Sequence, residues 1–278
     1  MRWGIASTGK IGASTVAALR TVDDAEVVAV GSRTTDTARA FAERHGIERA
    51  HGSHAALVAD DEVDIVYVAS PHSAHHSMTI AALDAGKHVL CEKAFAVNRA
   101  QAAEMIDAAR RNQRFLMEAM WSWFMPAWHE VRALIDAGEI GDVVQLDANF
   151  GLRIDDPNGR HRRPDLTGGA LLDLGIYPLA LARFLLGEPE DLRRDVRALG
   201  VLSATEHDGD IERWHRRGHR HTSRRHHPPS RRCVVHVLDH ARRDVRPHGA
   251  HRRDHRPDRD PPAVLVPTRL HRHRRSAR

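Results

Sequence analysis

Apolar residues alternate between two spacings over the first 120 positions, and that alternation predicts a fold before any motif is read. Short apolar runs at 2–6, 26–31, 64–69 and 87–91 read as buried strands. Between them the spacing lengthens to three and four, predicting helices over 35–45, 73–85 and 99–112. In the last of these, Ala102, Met105, Ile106 and Ala109 form one stripe, and a similar run of Ile11, Thr15, Val16 and Leu19 follows the first strand. Strands alternating with helices imply a parallel sheet covered on both faces. Farther on, 129–138 reads as a helix, Asp142–Phe150 as a strand entering a second domain, and roughly 169–186 as a largely buried helix. From about Glu206 no periodicity survives.

Composition sharpens that break. Residues 1–193 carry 20 basic and 27 acidic side chains, whereas 194–278 carry 22 arginines, no lysine and 10 acids, with 13 of the 22 histidines. A stretch such as W-H-R-R-G-H-R-H-T-S-R-R-H-H-P-P-S-R-R has no face to bury. Three readings stay open: a basic tail that contacts nucleic-acid phosphates, a His-rich metal site without ligand spacing, or translation out of frame. Three lysines against 39 arginines suggest a GC-rich gene. Permitted codons for Arg232–Ala241, read one base later, can spell G-A-S-S-T-S-S-T-T-L, and those for Asp258–Val266 can spell T-G-I-H-P-P-F-W. Such strings suit strands. The 278 residues have room for two domains. With no leader before the first strand and no apolar run of membrane-spanning length, the expectation is a soluble cytoplasmic protein without a membrane partner. Cys91 and Cys233 offer no disulfide framework.

The candidate chemistry lies where predicted strands end. Trp3–Gly12, W-G-I-A-S-T-G-K-I-G, is a strand running into a small-residue turn and then a helix, the start of a mononucleotide-binding fold. Ser7 stands at the first glycine position of the usual fingerprint, ahead of Gly9 and Gly12, and an ordinary βα turn is the alternative. The second strand leads into Ser32 and Arg33 where an NAD site usually places an acid; a hydroxyl and a guanidinium favour the 2′-phosphate of NADP(H) over NAD(H). The segment S-P-H-S-A-H-H, residues 70–76, reads as a loop beside the cofactor rather than a zinc site, and no metal is expected. An apolar strand delivers Glu92 and Lys93, and a lysine there can stabilise a developing alkoxide. Asp173 and Tyr177 are four apart, one helical turn, and with Lys93 they can form a proton relay; a buried Tyr satisfied by Asp173 is the alternative. Trp121 and Trp123 read equally as pocket lining or as core.

R-W-G-I-A-S-T-G-K-I-G, P-H-S-A-H-H, L-C-E-K-A-F-A-V-N, F-L-M-E-A-M-W and G-G-A-L-L-D-L-G-I-Y-P follow one another as in the Gfo/Idh/MocA oxidoreductases. Residues 2–190 resemble most the branch holding dimeric dihydrodiol dehydrogenase and NADP-dependent D-xylose dehydrogenase. The resemblance implies a Rossmann domain over 1–120 and a C-terminal α/β domain with a mostly antiparallel open sheet, here partial over 121–205, followed by a non-family tail over 206–278. It implies oxidation of a secondary alcohol on a sugar or cyclic diol, and a homodimer, although this C-terminus lacks the strands that would build one. It assigns Lys93, Asp173 and Tyr177 to catalysis, with Asp173, Tyr177 and Trp121 facing the substrate. Cofactor contacts fall to Ser7, Thr8, Gly9, Lys10, Ile11, Ser32, Arg33, Pro71, His72, His75, Glu92 and Lys93. Ala94 replaces the motif proline that commonly follows a cis peptide; a cis bond before Ala costs about 3 kcal/mol, which leaves a trans bond and a displaced Lys93 open. A catalytically inactive family member and a nucleotide sensor anchored to nucleic acid by its tail are the competing functions.

Overall fold

The computed structural model describes residues 1–143, 145–152, 156, 158–187, 232–237 and 269–270. They divide into two compact units, one of Met1–Trp121 with Asn158–Asp173, the other of Ser122–Pro157 and the chain from Leu174 onward. The return of Asn158–Asp173 to the first unit differs from the sequence-based division at 120. Its cause is local: Thr167, Arg160, His161 and Asp173 bond to side chains of the first unit or to one another.

The first unit runs β1 (Arg2–Ala6), α1 (Lys10–Leu19), β2 (Glu26–Gly31), α2 (Thr35–His45), β3 (Arg49–His51), α3 (His54–Val58), β4 (Ile65–Val68), α4 (His72–Asp84), β5 (His88–Glu92), α5 (Arg99–Arg111) and β6 (Leu116–Ala119). All pairings are parallel and the order is β3-β2-β1-β4-β5-β6. The direction of strand addition reverses between β1 and β4. That switch point opens a crevice at the carboxyl ends of the strands, where ligands of open α/β sheets bind.

Strand periodicity sends alternate residues to opposite faces, and each face has its own core. Val66, Val68, Val89 and Leu83 pack with Met105 and Ala108 on one side; Ile5, Val16, Val30, Phe41 and Tyr67 pack on the other. Helix starts are capped by Thr34 and Asn98 side chains, and α2 ends at Gly46 in the left-handed region. Three elements escaped the periodicity because they are short or lie at an edge: β3, α3 and β6. Two details are corrected. Segment 70–76 is not a loop, since Pro71 caps α4 and His72 opens it. Ile106 faces solvent, because Ala108 with Met105 and Ala109 supplies the buried stripe of α5.

In the second unit α6 (Pro126–Asp136) begins earlier than expected, at a proline suited to a first helical turn. Then come β7 (Gln145–Phe150) and α7 (Ile176–Leu186). Arg132 Nη1 donates to the Phe184 carbonyl at 2.9 Å, and the rings of Trp123, Trp128 and His129 pack around Phe184. β8 (Arg232–Val237) pairs parallel with β7, and β9 (Arg269–Leu270) pairs antiparallel with it. These strands lie where no pattern was expected; R-C-V-V-H-V is a β-branched run set in an Arg/His-rich stretch. The boundary at 205/206 lies outside the described residues. The run Pro164–Leu186, 23 residues with an 18-residue window of mean hydropathy 1.5, meets the length and composition of a membrane span, against expectation. It is broken at Thr167 (φ 56°) and Gly169 (φ 138°), and residues 171–186 beyond the break extend about 24 Å.

Candidate active site

Ala6 ends β1 and the chain turns over Ser7–Gly9 into α1. No side chain caps this helix; Gly9 stands at its N-cap and donates its N–H to Ser7 Oγ at 3.1 Å. A Cβ at Gly12 would sit 3.1 Å from the Ser7 carbonyl oxygen, so a side chain there would press the helix against its own turn. Bare N–H groups and a close-packed glycine suit a pyrophosphate. Lys10 is exposed. So is Ile11, at 47%, which removes it from the expected core stripe; buried Gly12 and Val16 take the inner face.

The end of β2 presents a chain of hydroxyls. Buried Ser32 Oγ lies 2.6 Å from Thr37 Oγ1 and 3.5 Å from Thr8 Oγ1, and Thr34 Oγ1 lies 2.8 Å from Thr37 Oγ1. Arg33 beside them is exposed. Burial and the charge of Arg33 lower the pKa of His54. Thr34 and Thr37 went unnoticed in the sequence, although a Thr just ahead of a helical run is an ordinary N-cap signal.

The histidines separate. His75 is fully buried, with Nδ1 2.9 Å from the Ala94 carbonyl and Nε2 2.9 Å from that of Ser70. His72 is also buried and faces the Thr167 carbonyl at 3.3 Å. Burial lowers the pKa of both. Both side chains are held by backbone carbonyls within the first unit. His76 pairs outward with Glu104 at 2.6 Å. Among the described residues no His, Cys, Asp or Glu group is arranged to hold a metal.

At the end of β5, Glu92 accepts hydrogen bonds from the Tyr67 hydroxyl and, at 3.2 Å, from the Lys93 N–H. Burial pushes its carboxyl up, while Tyr67 and Lys93 pull it back. Burial likewise raises Glu118, whose Oε1 accepts the Phe95 N–H at 2.9 Å. Burial pushes the Cys91 thiol up to about 12, so this cysteine is an inert core residue. The Lys93–Ala94 peptide is cis, so the trans bond left open by Ala94 is not the one adopted.

Lys93 Nζ donates to the Asp173 carbonyl at 2.6 Å and to Asp173 Oδ1 at 3.3 Å. Arg160 Nη2 donates to the same Oδ1 at 2.9 Å. His161 Nδ1 lies 2.6 Å from Oδ2 without the alignment of a hydrogen bond. Burial alone would raise the Asp173 carboxyl; Lys93, Arg160 and His161 outweigh it and hold it at about 2. With Oδ1 facing Lys93 and Arg160, Oδ2 close to His161, and 5% of the residue exposed, Asp173 is engaged by protein groups. Neither Arg160 nor His161 stood out in an Arg/His-rich chain. The residues around Asp173, Leu171–Gly175, form a π-helical turn, so the four-residue spacing to Tyr177 is not that of a continuous α-helix. Tyr177 lies in the first turn of α7 with its ring 5.0 Å from that of Phe150. Trp121 is 51% exposed and Trp123 is also exposed, which excludes the core reading for both.

The chain that carries this lysine and buried carboxylate is similar in sequence and fold to known proteins. Residues 1–120 match the family model described as an oxidoreductase family with an NAD-binding Rossmann fold, and 128–237 match the Gfo/Idh/MocA C-terminal domain. The chain belongs to the Gfo/Idh/MocA oxidoreductase family. It is 43% identical over 178 residues to trans-1,2-dihydrobenzene-1,2-diol dehydrogenase of Xenopus tropicalis, covering 63% of this chain and 54% of that one. It is 44% identical over 200 residues to D-xylose 1-dehydrogenase (NADP(+)) of Hypocrea jecorina, covering 64% and 51%. A 3-ketoreductase of Actinomadura kijaniata, solved with NADP and TDP-benzene, superposes with a TM-score of 0.64 at 36% identity, over 67% of this chain and 57% of that one. The family member thus spans somewhat over half the length of these relatives.

Proposed function

We propose that the chain is an NADP(H)-dependent oxidoreductase acting on a secondary alcohol of a sugar or cyclic diol. The observation that carries this reading is the delivery of Lys93 by β5 to the ionised, buried Asp173, beside the β1–α1 turn of a Rossmann sheet. The residues present fit the cofactor. Uncapped α1 and the close-packed Gly12 suit its pyrophosphate, and Ser32 and Arg33 suit its 2′-phosphate. A relative and a structural neighbour named with NADP support the same choice. When bound, the nicotinamide supplies or accepts the hydride. Lys93 Nζ hydrogen-bonds the substrate hydroxyl and stabilises the alkoxide as charge develops. Tyr177 Oη exchanges the hydroxyl proton. Asp173 acts through Lys93, holding the ammonium in place. The test is reduction of NADP(+) by the full chain with D-xylose or trans-1,2-dihydrobenzene-1,2-diol, followed by NADPH absorbance. Tyr177→Phe should lower kcat about 100-fold or more; unchanged turnover in that variant removes the acid–base role.

A second reading concerns residues beyond about 206, for which we propose translation out of frame. Twenty-two arginines without a lysine after residue 193, against three lysines before it, favour that reading over a nucleic-acid-binding tail. The match to 237 and the β7–β8 pairing run into this stretch, so the coding DNA decides the point at which the frame changes.

A further inference from the structure

Tyr67 is 2% exposed and sits in an apolar layer with Ile5, Val16, Val30 and Phe41, where phenylalanine would pack as well. Its hydroxyl therefore needs a reason, since a buried hydroxyl gains little beyond satisfying itself. The register supplies one. Tyr67 pairs with Leu90, and Glu92, two residues on, lies on the same face of the sheet, within reach of the phenol. The phenol donates to Glu92 Oε1, and Glu92 Oε2 accepts the Lys93 N–H at 3.2 Å. A hydrogen-bonded chain thus runs from β4, across to the end of β5, and on to the backbone of Lys93.

We infer that Tyr67 is a positioning residue that holds Glu92, and through it the Lys93 peptide, against β4. The consequence for turnover rests on the oxidoreductase reading; the positioning itself does not. The groups acting on Glu92 are Tyr67 from β4, Lys93 at the end of β5, and Arg160 from the returning segment, with Glu118 of β6 nearby. Burial raises the Glu92 carboxyl and the Tyr67 hydrogen bond opposes it, so deleting the hydroxyl makes protonation easier. Tyr67→Phe keeps the ring and tests this in the full chain without cofactor. A carboxyl infrared titration, with Glu92→Gln assigning the band, should show the Glu92 midpoint rising by about one pH unit in Tyr67→Phe. Amide exchange at Lys93 should quicken about tenfold in both variants. An unmoved midpoint, or Lys93 exchange equal to wild type in both variants, overturns the inference. A loss of stability without either change assigns the hydroxyl to core satisfaction alone and overturns it too. Failure of wild type to bind NADPH would instead count against the proposed function and leave both readouts intact.

Discussion

Replacing Asp173 with asparagine isolates the charge at the centre of the site. A carboxyl moved from 3.8 to about 2 by its neighbours favours the ionised folded form by roughly 2 kcal/mol. Asparagine leaves Lys93, Arg160 and His161 facing one another without the anion, and stripping one partner from a buried pair typically costs about 3–5 kcal/mol. The Lys93 bond to the Asp173 backbone carbonyl survives the substitution, which keeps the loss toward the lower figure. Asp173→Asn should therefore cost about 2–3 kcal/mol at pH 7. The pH dependence is the sharper part. Because the folded carboxyl is depressed, its stabilisation is full above about pH 4 and disappears as pH falls toward about 2. Urea unfolding of wild type and variant between pH 7 and pH 2 reads both quantities. A gap that stays constant across that range, or no gap at pH 7, would refute the assignment of Asp173 as the ionised partner of Lys93.

Other outcomes follow from the same geometry. Gly12→Val presses a side chain onto the Ser7 carbonyl, 3.1 Å from where its Cβ would lie; it should cost about 1–3 kcal/mol in urea unfolding and weaken NADPH binding in a fluorescence titration at least tenfold. His75→Leu removes the contacts to the Ala94 and Ser70 carbonyls; it should lower kcat while leaving the Kd for NADPH within about threefold, because His75 is fully buried. The coding DNA, read one base later from near residue 212, should stay open and encode strand-like Ser/Thr-rich segments; an early stop codon in that frame ends the frameshift reading.

The α/β order of the first unit was legible because buried parallel strands and two-sided helices leave strong patterns, as Ile65–Val68 and Met105–Ala109 do. Short or marginal pieces, β3 and α3 among them, carry too few residues for any period to emerge. Lys93 and Asp173 could be picked out as a polar residue at a strand end and an acid among leucines. The partners of Asp173, Arg160 and His161, could not, because they lie 13 and 12 residues before it and meet it only through the turns within 158–173. Tyr67 was hidden for the opposite reason: in I-V-Y-V it looks like any strand aromatic, and only the register with Leu90 brings its hydroxyl to Glu92. His72 and His75 were visible as histidines, but their burial against backbone carbonyls was not.

The central claim is a nicotinamide site that reads the 2′-phosphate through Arg33. Fluorescence titration of the full chain with NADPH and with NADH measures it directly. NADPH should bind at least tenfold more tightly, and Arg33→Ala should erase most of that preference with little change for NADH. Equal affinity for the two cofactors, or a preference that survives Arg33→Ala, would contradict it.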